Sequence, residues 1–135
     1  MKPIFNKTLL SFLLAIGLAG SVNGQANDQL GFICVLKGDQ NSLPRVFKVD
    51  MGATVSIAFS WNTEEWRPRK SLTLNVDYIR HPADGDSPAF YIDRTTLDGA
   101  SVFGRSTHSC SLNTWSEVDA FVQREVSRLN NTRAF

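Results

Sequence analysis

His81 and His108 are the side chains in this sequence that titrate nearest neutrality, which makes them the natural acid/base candidates. Glu64 and Glu65 offer carboxylates, and Arg67 and Arg94 offer guanidinium groups. Small secreted ribonucleases use a set of this kind, moving a proton with one group and holding a phosphate with another. The alternative is that these are solvated loop residues, since His81 sits in Arg80-His81-Pro82 and His108 lies two positions before Cys110. No residue is assigned as catalytic. Nucleophile elbows, phosphate loops, HExxH pairs and dinucleotide glycine patterns are all missing from the sequence. Asp84-Gly85-Asp86 places two carboxylates close together, as a hard cation would need, but lacks the closing Glu of a calcium loop. It reads as a polar turn, and neither a metal site nor a cofactor is expected.

The most distinctive local cluster is Trp61, Trp66, Arg67, Arg69 and Lys70. Indole rings present a broad apolar face, and guanidinium groups bind carboxylates or phosphates through two parallel hydrogen bonds. Trp66, Arg67 and Arg69 are the candidate interaction residues, in the manner of an interface hot spot. Trp61 continues an alternating strand pattern and reads equally as core. The expected partner is a protein. Fourteen Lys+Arg against thirteen Asp+Glu give a formal charge of +1, without the basic excess that a generic nucleic-acid or anionic-membrane binder carries.

Lys2 and Lys7 precede the apolar run Thr8 to Gly20, the pattern of a secretory signal and too short to span a bilayer. The signal peptide is read as 1–24, with cleavage after Gly24, or after Ala26 as the second choice, and no membrane anchor is expected. Removal of the leader takes away Lys2 and Lys7. The remaining 25–135 domain then carries twelve basic and thirteen acidic residues and a formal charge of −1. Export would let Cys34 and Cys110, the only two cysteines, form one disulfide.

These candidates need elements to position them. Ala53 to Trp61 alternates, with its odd positions apolar, and Leu72 to Tyr78 alternates with its even positions facing inward. Leu30 to Leu36 and Val46 to Val49 are apolar on both sides, as more deeply buried strands would be. Ala89 to Ile92 and Ala100 to Phe103 complete about six strands, with Asp98-Gly99 as a short hairpin signal. Two longer loops, Asn62 to Lys70 and His81 to Pro88, interrupt them. Thr114-Trp115-Ser116-Glu117 then fits a capping box, and Trp115, Val118, Val122, Val126 and Leu129 recur at helical spacing with Phe121 beside them. The helix is read as about 115–129, with Arg124 and Arg128 near its end and Asn130-Asn131 closing it. Asn130-Asn131-Thr132 is also a glycosylation sequon if the host is eukaryotic. The fold class is mainly β with a C-terminal helix, as a compact antiparallel β-sandwich or barrel.

Gly31-Phe32-Ile33-Cys34-Val35, a Gly-containing turn, Leu43-Pro44-Arg45-Val46 and Val49-Asp50-Met51-Gly52-Ala53-Thr54-Val55-Ser56-Ile57 together resemble the opening of MAX-type fungal effectors. The resemblance implies a small secreted six-stranded sandwich in which one disulfide ties the first strand to the second sheet. Phe32-Ile33-Cys34 is also similar to the aromatic-x-Cys opening of powdery-mildew effectors, some of which have a ribonuclease-like fold. The function expected is therefore effector-like: a secreted, disulfide-stabilised protein that acts by protein–protein interaction, through an edge strand or the loop around Trp66. The alternatives are a ribonuclease-like secreted protein and a bacterial periplasmic binding or accessory protein.

Overall fold

The structure is a computed structural model that describes residues 28–85 and 87–133. The leader 1–24 with its two cleavage points, and Asp86 of the acidic turn, lie outside the described residues. Ten strands precede one helix: β1 (Gln29–Leu36), β2 (Arg45–Asp50), β3 (Val55–Ser60), β4 (Glu65–Trp66), β5 (Lys70–Ser71), β6 (Thr73–Leu74), β7 (Tyr78–His81), β8 (Phe90–Asp93), β9 (Asp98–Ala100), β10 (His108–Asn113) and α1 (Trp115–Thr132).

All the strand pairs are antiparallel, in the order β4-β3-β2-β1-β10-β9-β8-β7-β6, with β5 also on β3. The result is one curled half-barrel rather than two facing sheets. Its two ends converge on a single segment, in which Lys70–Ser71 pairs with β3 and Thr73–Leu74 pairs with β7. The expected six-stranded sandwich is thus corrected. The count is low because β4 and β5, two residues each, are too short to show a period, because β7 begins where the alternating run Leu72 to Tyr78 ends, and because β10 is not anticipated at all.

Curling gives the sheet two buried faces. The concave face holds Phe32, Cys34, Phe47, Val49, Leu72, Ile79, Phe90, Ile92 and Cys110. Cys34 and Cys110 are direct partners in the β1–β10 register and form the disulfide on this face. The bond joins neighbouring strands of one sheet, not two sheets as the effector resemblance implied. Gly99 is required here, because a Cβ would lie 2.7 Å from the Phe90 ring and 3.0 Å from Cys110 Sγ. On the convex face Val46 and Phe59 meet Val118 and Val122 of α1. A Cβ on Gly31 would stand 2.3 Å from Val118 Cγ2 and 3.0 Å from the Thr114 carbonyl, so this glycine lets the helix approach the sheet.

The capping box forms as its spacing predicts. Glu117 N–H donates to Thr114 Oγ1 at 3.1 Å, and Thr114 N–H donates to Glu117 Oε1 at 2.8 Å. The Trp115 indole N–H donates to the Leu30 carbonyl at 3.1 Å, which ties the first turn to β1. The helix runs on through Asn130-Asn131 to Thr132, so Arg124 and Arg128 lie inside it and its last turn carries no basic residue.

Three strand assignments shift, each for a local reason. Leu72 to Tyr78 is not continuous: Asn75 Oδ1 accepts from the N–H groups of Asp77 and Tyr78, forming a turn that leaves Val76 83% exposed. Ala100 to Phe103 is largely a turn after β9, and Asp98-Gly99 lies within a strand. The hairpin is made instead at Asp93, whose Oδ1 accepts from Thr95 and Thr96, with Leu97 at φ 64°. In β3 the hydroxylated even positions do not face solvent. Ser56 is fully buried on the concave face, while Phe59 on the opposite face packs beneath the helix.

Candidate functional site

Period-two alternation in β2, β7 and β8 brings unlike groups to one end of the concave face. In β2 the parity that buries Phe47 and Val49 also turns Arg45 inward. In β7 the parity of Ile79 carries His81, which is only 7% exposed and is a strand residue, not a loop residue. Ser56 Oγ lies 2.5 Å from His81 Nδ1. His81, Phe47, Phe90 and His108 then form a row of rings, with successive centroids 5.1, 5.4 and 5.2 Å apart. The Arg45 guanidinium lies over the middle two, 5.3 Å from the Phe47 centroid and 4.8 Å from that of Phe90.

The row decides what the histidines can do. Burial pushes the His81 pKa down to about 4, Arg45 adding to the effect and Asp84 opposing it, so the ring is neutral at physiological pH. His108 is also lowered, first by burial and then by Arg45. Two phenyl rings stand between the imidazoles. His81 lines a cleft of about 520 Å³ together with Arg45, and His108 does not line it. The other members of the proposed acid/base set are dispersed: Glu64 pairs with Arg133 at the helix end, and Arg94 donates to the Asn75 carbonyl at 2.6 Å.

The sequence-predicted interaction residues separate in the structure. Trp66 packs edge-on against Phe59, ring centroids 5.2 Å apart, with Lys48 Nζ 4.5 Å over its ring. Trp61 also packs on Phe59, and its indole N–H donates to the Pro44 carbonyl at 2.7 Å. Both rings flank the helix-side core. Arg67 reaches the cleft rim, where its Nη2 lies 2.8 Å from Asp84 Oδ2, and Lys70 Nζ lies 3.5 Å from Oδ1 of the same carboxylate. The hydrogen bond from Arg67 is the main cause of a lowered Asp84 pKa. Arg69 is exposed. Asp84 thus closes its turn through backbone bonds to Ser87 and serves two cations, which is the polar-turn role. Among the described residues no group of three or more His, Cys, Asp or Glu side chains is placed to hold a metal.

A second feature was not anticipated from the sequence. The outward parity of β7 and β8 places Tyr78, Arg80 and Tyr91 on a part of the convex face away from the helix. Tyr78 and Tyr91 meet edge-on at 5.2 Å, and Phe103, 46% exposed, lies 4.6 Å from Tyr78. The Arg80 Nε–H donates to the Tyr91 hydroxyl at 3.2 Å. Val102 beside them is 58% exposed. The available signals were the Tyr-x-Arg alternation around Ile79 and the single arginine in the apolar run Val46 to Val49 extended back by one residue.

These features define a disulfide-stapled antiparallel half-barrel with one docked helix, carrying an arginine-floored cleft on one face and an aromatic patch on the other. No family model, curated protein or solved structure matches the chain. Among the described residues no helix is long and apolar enough to cross a membrane.

Proposed function

We propose that this chain is a secreted binding domain that acts by protein–protein recognition through the convex patch of Tyr78, Arg80, Tyr91 and Phe103. The observation that carries this reading is the half-exposed aromatic triad with an arginine on its rim, on the part of the sheet that the helix leaves uncovered. Tyrosine, phenylalanine and arginine are rigid or amphipathic groups that bury large area at low entropic cost, and they dominate interface hot spots. No described carboxylate pairs with Arg80, so the fitting partner has an apolar centre flanked by an acidic side chain.

The test places a photo-crosslinking benzoylphenylalanine at position 103, and the same group at Gln123 on the exposed helix face as the control. The reading expects one discrete protein adduct from position 103 in the secreting culture or its target tissue. That adduct should be lost when Tyr91→Ser is added to a protein whose far-UV dichroism is unchanged. Equal adducts from both positions, or none from 103, would overturn it.

A further inference from the structure

Arg45 is a half-buried cation that meets two aromatic rings and no carboxylate among the described residues. Its guanidinium stands on the concave face over two phenyl rings, and neither an ion pair nor a hydrogen bond to any described residue holds it. Burying a charge without an anionic partner is costly. Burial already pulls its pKa below the ordinary arginine value. The nearby carboxylate does not serve it, because Asp84 is bound by Arg67 and Lys70.

The cleft above Arg45 has walls of two kinds. Phe59, Ala58 and the Trp61 indole are apolar, while Asn62 and Ser87 are polar, with Arg67 and Asp84 at the rim. Among the described lining residues the charged groups are Arg45, Arg67 and Asp84, with Asp84 already held by Arg67 and His81 neutral. A guanidinium fork with no carboxylate on it among the described residues, beside an indole in the same lining, selects an anion with an apolar body.

We propose that this cleft binds amphipathic monocarboxylates, the carboxylate accepting two hydrogen bonds from Arg45 and the apolar body lying against Trp61 at the cleft's edge. The carboxylate has two sources of the same chemistry: a small free acid, or the C-terminus of a peptide ending in an apolar residue. The site lies on the opposite face of β7 and β8 from the aromatic patch, so it stands or falls independently of the protein-binding reading.

The test titrates the mature protein with 3-phenylpropionate, with the peptide Gly-Gly-Phe, with Gly-Gly-Phe amide and with inorganic phosphate, followed by two-dimensional NMR. Saturable binding of one of the two carboxylates below about 10 mM is expected, with the Trp61 indole N–H and Asn62 side-chain signals moving. Arg45→Met, which keeps the stem and removes the charge, should weaken that binding by at least about tenfold. The same variant should stay folded, with an unchanged far-UV dichroism spectrum, because Met keeps an apolar stem over Phe47 and Phe90. Tighter binding of the free acid supports a small-molecule ligand, and tighter binding of the peptide with its amide silent supports a chain terminus. No saturation by either carboxylate, phosphate binding as tightly as they do, or affinity unchanged in folded Arg45→Met would each overturn the proposal.

Discussion

Acid should unfold this protein in two distinguishable stages, and the first belongs mainly to His81. Its ring is buried between Phe47 and Ser56, and its pKa falls from 6.5 in the unfolded chain to about 4 in the fold. Between those values the unfolded chain binds a proton that the native state refuses, so stability rises with pH across the window. The contribution is fully present above about pH 6.5, is lost progressively on acidification and levels off below about pH 4. A depression of this size corresponds to about 3 kcal/mol, at about 1.4 kcal/mol for each pH unit. His108 is displaced in the same direction and adds a smaller slope in the same window. Asp39, Asp84, Asp93 and Asp98 have lowered pKa values, so their stabilisation is present above the ordinary carboxylate value and fails only as pH drops through the folded values, below the histidine window. Urea unfolding of the parent and of His81→Asn, repeated between about pH 7 and about pH 4, separates the stages. The variant loses ring packing at every pH, so its absolute stability falls. The diagnostic is its slope, which should flatten to the residue left by His108. If both proteins lost stability in parallel across that window, the burial argument for His81 would be refuted.

Other perturbations read the remaining contacts. Replacing both Cys34 and Cys110 by Ala opens a loop whose ends are 76 residues apart in sequence. Chain entropy sets that loss at about 4 kcal/mol, measurable as a lower urea midpoint. Thr114→Ala removes one half of the capping box and should cost about 1 kcal/mol by the same assay, with fraying in the first helical turn. Gly31→Ala forces a methyl against Val118 Cγ2 and should destabilise by about 1–3 kcal/mol, with amide shifts that include Val118 and Thr114.

How much was legible follows from how far each feature depends on near neighbours. The capping box, the helix face of Val118 and Val122, β1, β2 and β3 all rest on spacing within a few turns or strand residues. The pairing of Cys34 with Cys110 was legible because no other cysteine competes. Strand β10 was missed because its His-Ser-Cys-Ser-Leu-Asn sequence is mostly polar, and its strand character comes from pairing with β1 on one side and β9 on the other. The packing of Trp61 and Trp66 is half legible: Trp61 continues the strand alternation and reads equally as core, whereas Trp66 reads as an interaction residue because it sits in a loop-like stretch. What buries them is a helix some fifty residues further along, which local pattern does not reveal. Arg45 was the hardest to read. One charged residue before Val46 looks like a strand end, and only the curl of the sheet turns that end into the floor of a cleft.

The same curl bears on where recognition can occur. An open sheet edge offers unpaired backbone groups to a partner strand, and the sequence made this route plausible. In the fold the free side of β3 is occupied along its length: Phe59–Ser60 pairs with β4, Val55–Ser56 pairs with β5, and the Ala58 carbonyl accepts from Arg67 N–H at 2.8 Å. At the other end β6 is two residues long and its chain passes directly from β5. A partner strand would find no more than two residues in register at either end, far short of the five or six that ordinary strands use. The proposed recognition is therefore directed to the faces of the sheet, where side chains rather than backbone would carry the contact. Glu65→Pro, which removes a backbone donor from β4, should leave the position-103 adduct intact, whereas Phe103→Asp should remove the apolar contact on which that surface depends. The opposite ranking, measured by solution affinity for the partner captured at position 103, would return the binding site to the edge.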